Sequence, residues 1–265
     1  MKIAYAATAL ALGLAPAAAL AQARISPVVS TSMHRTCQGE TGRTVLHDAS
    51  GQSQIGQPQV APDTRAFRAT RSGAGYAFHQ SASHSGGQTD LRVDVAATGA
   101  ISNARLSGSA IEAARAANPQ ADINALAYSL AQEIPERLLV GRSFAVGDQY
   151  YPDDLRNTLI GQMTSAMGLP FPIRGTIDMP YRGESTFNGR RAYVFEGTLQ
   201  LNGQGAVQGR PVVLTMSSDV RVTHDAETGL VLDYRTAQDL DITLDGQPFQ
   251  RNRTHDNYTC QIAAQ

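Results

Sequence analysis

The strongest constraint on this chain is a two-residue period in its C-terminal part. Leu230, Leu232, Tyr234, Leu240, Ile242 and Leu244 share one parity, while Asp233, Arg235, Asp239, Asp241 and Asp245 hold the other. Side chains alternate faces along a β-strand, so this pattern predicts a strand with one apolar and one wet face. At about 3.3 Å per residue, fifteen residues run roughly 50 Å, and such a strand must curve or carry a bulge. Thr236 and Gln238 fall on the apolar parity. Either a bulge sits there, or the inward face presents polar groups to water or a ligand.

The same alternation recurs upstream in Val212 to Val222, in Tyr193 to Leu201, and in Ile173 to Tyr181. Asn188-Gly189, Asn202-Gly203, Thr228-Gly229 and Asp245-Gly246 supply turn residues that tolerate positive φ, which makes the runs a hairpin meander. Phe249 to Ile262 is expected to add one more strand. Further strands are predicted at Val45 to His47, Ala66 to Ala69, Tyr76 to Gln80 and Leu91 to Ala97, with loops at Gln52 to Pro62 and Ser81 to Gly87.

Helices are expected in the middle of the chain. Asn118-Pro119 reads as an N-cap with proline at the first helical position, followed by Ile123, Leu126, Ala127, Leu130 and Ile134 at helical spacing up to Pro135. Ile111 to Ala117 predicts a shorter helix before it. Pro152-Asp153-Asp154 opens another candidate, carrying Leu155, Leu159, Ile160, Met163 and Met167, with Gly168 as its C-cap; a loop is the alternative there. The fold class these elements imply is α+β. A long curved antiparallel sheet, a half-barrel or incomplete barrel, is covered by two or three central helices, because its apolar face must be sheltered.

Lys2, the apolar stretch Ile3 to Ala15 and the small residues Ala19 and Ala21 predict a secretory signal peptide over residues 1–21, leaving residues 22–265 as a single domain. The expected destination is the periplasm. The two cysteines, Cys37 and Cys260, sit in identical Thr-Cys-Gln tripeptides near opposite ends, and an oxidising compartment favours a disulfide between them.

The chain is 42% hydrophobic and 17% charged, with 22 basic against 23 acidic residues. No charge excess points to a nucleic-acid partner. Lys2 is the only lysine, which excludes lysine-based chemistry from the rest of the chain. The six histidines lack metal-ligand spacing, Gly51-Gln52-Ser53-Gln54-Ile55 departs from the nucleophile-elbow pattern, and no stretch beyond the signal segment is long enough to span a membrane. No catalytic residue, metal or cofactor is therefore expected.

The order of signal sequence, strands, central helices and a long meander containing Thr228-Gly229-Leu230-Val231-Leu232, with Val146-Gly147-Asp148 ahead of it, resembles uncharacterised bacterial periplasmic proteins. It is also similar to the lipoprotein-localisation-factor superfamily. That resemblance implies a curved sheet wrapped on helices, shielding an acyl chain or another apolar ligand; it carries over no individual residue. The expectation is a non-enzymatic carrier or binding protein for a lipid or other apolar small molecule, with Tyr193, Phe195, Met216 and Tyr234 on the binding face. The alternative is an envelope module with a solid core that meets a protein partner.

Overall fold

The computed structural model describes residues 24–47, 59–84, 86–166 and 169–265. The signal segment at 1–21, the expected loop residues 52–58 and the expected cap Gly168 lie outside them.

Five strands come first: β1 (Met33–His47), β2 (Gln59–Ser72), β3 (Gly75–His84), β4 (Gly87–Val95) and β5 (Ile101–Ser107). Three helices follow, α1 (Ser109–Ala117), α2 (Ile123–Gln132) and α3 (Asp153–Ala166), with a short 3-10 helix at Pro135–Leu139. The chain closes with β6 (Ile173–Asp178), β7 (Tyr181–Phe187), β8 (Arg190–Val207), β9 (Arg210–Asp225), β10 (Val231–Leu244) and β11 (Gln247–Ala264).

The eleven strands of the described residues join one antiparallel sheet in the order β5-β4-β3-β2-β1-β11-β10-β9-β8-β6, with β7 also paired to β8. The two meanders meet where β1 pairs β11, and the sheet does not close on itself. The helices connect the two edges: α1 and α2 pack on β4 and β5, and α3 packs on β6. Strands of 14 to 18 residues dominate the chain. The architecture is thus mostly β with a helical cover, a correction to the expected α+β class, because the strands extend well past the periodic runs that announce them.

The parity rule holds through β9, where Val212, Leu214, Met216, Ser218 and Val222 are buried and their neighbours from Val213 to Arg221 are exposed or half-buried. In β10 the bulge falls between Val231 and Asp233, not at Thr236 and Gln238. Leu230 and Leu232 therefore do not share a face with Tyr234 as the plain alternation implied. Thr236 and Gln238 stay in regular register with Val220 and Ser218 and face inward, so the polar-face alternative is the one realised.

Other boundaries move for identifiable reasons. Asn202-Gly203 is not a turn: β8 runs on to Val207, and the hairpin forms at Gln208-Gly209, both at positive φ. A Cβ on Gly203 or Gly205 would press on Phe171, at 3.0 Å and 2.4 Å, so these glycines make room for a ring crossing the strand. The run Ile173 to Tyr181 breaks at Met179-Pro180 into β6 and β7, both alongside β8, where Gly197 lets the backbone of Asp178 approach. The cap of α2 is Asp122, which accepts from Ala125 N at 2.9 Å, and not Asn118. Gln59–Pro62 and Ser81–His84, expected in loops, belong to β2 and β3.

Cys37 and Cys260 face each other directly across β1 and β11 and are joined, S–S 2.01 Å. The pair ties the first strand to the last at the seam between the meanders.

Candidate functional site

The register assembles the inward face of the sheet row by row. One row runs Val222, Tyr234, Tyr258, Gly39, Asp63 across β9, β10, β11, β1 and β2. The next row toward the β10–β11 hairpin holds Val220, Thr236, Asp256 and Thr41. On the other side lie Cys260, Cys37, Arg65, Ala82 and Thr89, followed by Arg35, Phe67, Gln80, Leu91 and Leu106.

Above these rows the helices leave a cavity of about 530 Å3, within the range of small-molecule sites. Leu130 of α2, its C-cap Glu133, Ile134, Tyr150 and Tyr151 of the connections, and Leu159 and Met163 of α3 form its roof. Glu133, Leu130, His84 and Thr198 line it while remaining solvent-exposed, so the cavity communicates with solvent at its rim. Leu91, Leu106, Leu159, Leu199, Val220 and Val222 supply apolar wall. The partial exposure of Leu130, at 37%, has its cause here.

A buried ion pair holds the roof onto the sheet. Glu136, fully buried in the 3-10 helix, accepts from Arg35 Nε through Oε1 and from its second terminal nitrogen through Oε2 at 3.1 Å. It also accepts from Val231 N at 3.2 Å, beside the β10 bulge. Burial pushes the Glu136 carboxyl up, but Arg35 and these bonds outweigh it and hold it below its ordinary value. Arg35 also stacks over Phe67, 5.1 Å from the ring centroid. Next to this pair, Tyr150 donates to His224 Nε2 at 2.8 Å, and His224 Nδ1 donates to Gly229 O at 2.9 Å. Burial brings His224 down to about 4, so it is neutral at pH 7.

A second polar group forms the cavity floor. Tyr258 donates to Asp63 Oδ2 at 2.8 Å and accepts from Arg65 at 2.7 Å, and Arg65 closes the triangle on Asp63 at 3.0 Å. Gly39 makes this possible: a Cβ there would meet the Tyr258 ring at 2.5 Å and Asn257 O at 2.0 Å. Asp63 Oδ1 has no hydrogen-bond partner although the residue is only 9% exposed. Tyr234 stands beside Tyr258, ring centroids 6.2 Å apart. Its hydroxyl is shifted upward first by burial, then by Asp256 and Glu133, with Arg65 opposing, so all three charges converge on it. Tyr151 is raised in the same way by burial, Tyr234 and Glu133.

Of the four residues expected on the binding face, Tyr234 lines this cavity. Phe195 shares its cross-strand row through Val222 but is covered by Tyr150, ring centroids 4.5 Å apart. Tyr193 packs on Tyr181 at 6.1 Å. Met216 lies farther along β9, between Leu201 and Leu240, outside the cavity. Tyr151, Tyr258, Asp63, Arg65, Glu133 and Asp256 were missed by pattern reading. Asp63, Arg65, Asp256 and Tyr258 lie on the inward parity of strands with no hydrophobic alternation, and Glu133 and Tyr151 lie off the strands, at the end of α2 and in the connection before α3.

Among the described residues no three His, Cys, Asp or Glu side chains converge as a metal site. The hydrogen bonds of His79, His84 and His224 go to Asp90, Gly86 N, and Tyr150 and Gly229 O, and none joins a serine or threonine hydroxyl. No described helix is long and apolar enough to cross a membrane. No protein-family model and no curated protein matches this chain.

Proposed function

We propose that this chain is an exported, non-enzymatic binding protein or carrier that shelters a lipid-like ligand between the inward face of its sheet and the central helices. The observation that carries the reading is the 530 Å3 cavity under α2 and α3, a feature that a solid-cored interaction module would lack. Its wall is apolar where α3, β8 and β9 contribute and polar around Tyr234 and Tyr258, which suits an amphiphile better than a plain hydrocarbon. The half-barrel arrangement of the resembled lipoprotein-localisation-factor superfamily is the architectural parallel. Periplasmic residence rests on the signal-like segment 1–21 and is supported by the Cys37–Cys260 pairing.

Native mass spectrometry of protein purified without detergent tests this, combined with titration of the neutral apolar fluorophore N-phenyl-1-naphthylamine. The reading expects a co-purifying amphiphile or saturable, roughly equimolar dye binding. A ligand-free mass together with no saturable dye binding refutes it.

A further inference from the structure

The charge pattern of the cavity specifies the head group of its ligand, an inference that rests on the binding reading above. Five charged side chains besides His84 line the cavity: Arg35, Arg65, Asp63, Glu133 and Asp256. Both arginines are already paired with a carboxylate, although Arg65 Nη1 has no hydrogen-bond partner among the described residues. Arg35 holds Glu136 through two nitrogens and Cys37 Sγ through the third, and Arg65 is committed to Asp63 and to the Tyr258 hydroxyl while stacking on that ring at 4.2 Å. The carboxylates are not fully satisfied. Among the described residues the Glu133 carboxylate makes no hydrogen bond or ion pair, and the Asp256 carboxylate accepts only from the Thr236 hydroxyl at 3.2 Å. Asp63 Oδ1 is orphaned while nine-tenths buried and contributing to the wall.

The cavity therefore carries two carboxylates, Glu133 and Asp256, without a paired cation among the described residues, while the charge of each lining arginine is matched by Glu136 or Asp63. A carboxylate or phosphate head entering it would meet Glu133 and Asp256 without a paired cation, a like-charge contact that disfavours it. A cationic head would find two carboxylates and the rings of Tyr151 and Tyr234, which line the cavity and favour cations. We infer that the ligand is an amphiphile with a cationic ammonium head, seated between Glu133, Asp256 and Tyr234 with its chain toward Leu159, Leu199 and Val220.

Isothermal titration calorimetry of the full chain with decylammonium, decanoate and decanol at pH 7 separates the possibilities, since the three share one chain. Decylammonium is expected to bind about tenfold or more tighter than decanoate, equivalent to about 1.4 kcal/mol, with decanol between them. The double variant Glu133→Gln/Asp256→Asn keeps shape and hydrogen-bonding capacity and should erase that preference with an unchanged melting temperature. Equal or tighter binding of decanoate or decanol by the wild type, or a preference that survives the double variant, overturns the head-group assignment and leaves the carrier reading standing. No heat and no competition with the dye for any of the three overturns the carrier reading itself.

Discussion

Removing Glu136 should cripple the fold out of proportion to its size. Its carboxylate is fully buried and Arg35 is 5% exposed at the side chain, so both charges are largely withdrawn from bulk water and depend on each other. Glu136→Ala leaves a desolvated guanidinium with only Cys37 Sγ and the Phe67 ring, and frees Val231 N at the bulge. Breaking a buried pair from one side costs about 3–5 kcal/mol, a large share of the roughly 5–15 kcal/mol that holds a domain together. Replacing both charges with apolar groups, as in Arg35→Met/Glu136→Leu, restores a neutral core and should cost no more than about 1–2 kcal/mol. Urea unfolding at pH 7 with the disulfide intact measures both from the midpoint at constant slope. A single-variant loss below about 1 kcal/mol, or a double variant no more stable than Glu136→Ala, would show that the pair does not anchor the roof as described.

Two further outcomes follow from the same interior. His224 falls to about 4 in the folded protein from an ordinary 6.5, so between these values the unfolded chain takes up a proton that the folded one refuses. Its contribution is complete above pH 6.5 and is lost as pH falls toward 4, a span worth about 3 kcal/mol. Urea midpoints across that range should drop more steeply for wild type than for His224→Gln; parallel profiles would contradict the assignment. Opening the Cys37–Cys260 link with Cys37→Ser/Cys260→Ser frees a 223-residue span and should cost up to about 5 kcal/mol. The same shift should appear on adding reductant to the wild type, and an unmoved midpoint in both would remove the staple from the account.

What the sequence revealed and what it hid divide along the inward face of the sheet. Strands β8 and β9 bury Leu199, Leu201, Leu214 and Val222, and their alternation is legible because burial selects apolar side chains on one parity. Strand β1 turns Arg35, Cys37, Gly39 and Thr41 the same way, and no hydrophobic period can announce a face whose residues form ion pairs or admit a tyrosine ring. The polar floor of the cavity was thus unreadable for the reason that makes it a candidate site. Tyr234 was found because it sits on a regular run. Phe195 was placed with it because a row shows which side chains share a face, not which of them a loop residue such as Tyr150 will cover. Asn202-Gly203 misled for a related reason: a glycine that accommodates Phe171 reads locally like a glycine that turns the chain.

Methyl NMR on protein labelled at methionine reports on the cavity most directly, because Met163 and Met179 line it while Met33 and Met216 lie outside. Titration with decylammonium should shift the Met163 and Met179 methyl signals saturably and leave those of Met33 and Met216 in place. Signals from Met163 and Met179 that stay fixed at saturating ligand, or movement confined to Met33 and Met216, would contradict a ligand site between the helices and the sheet.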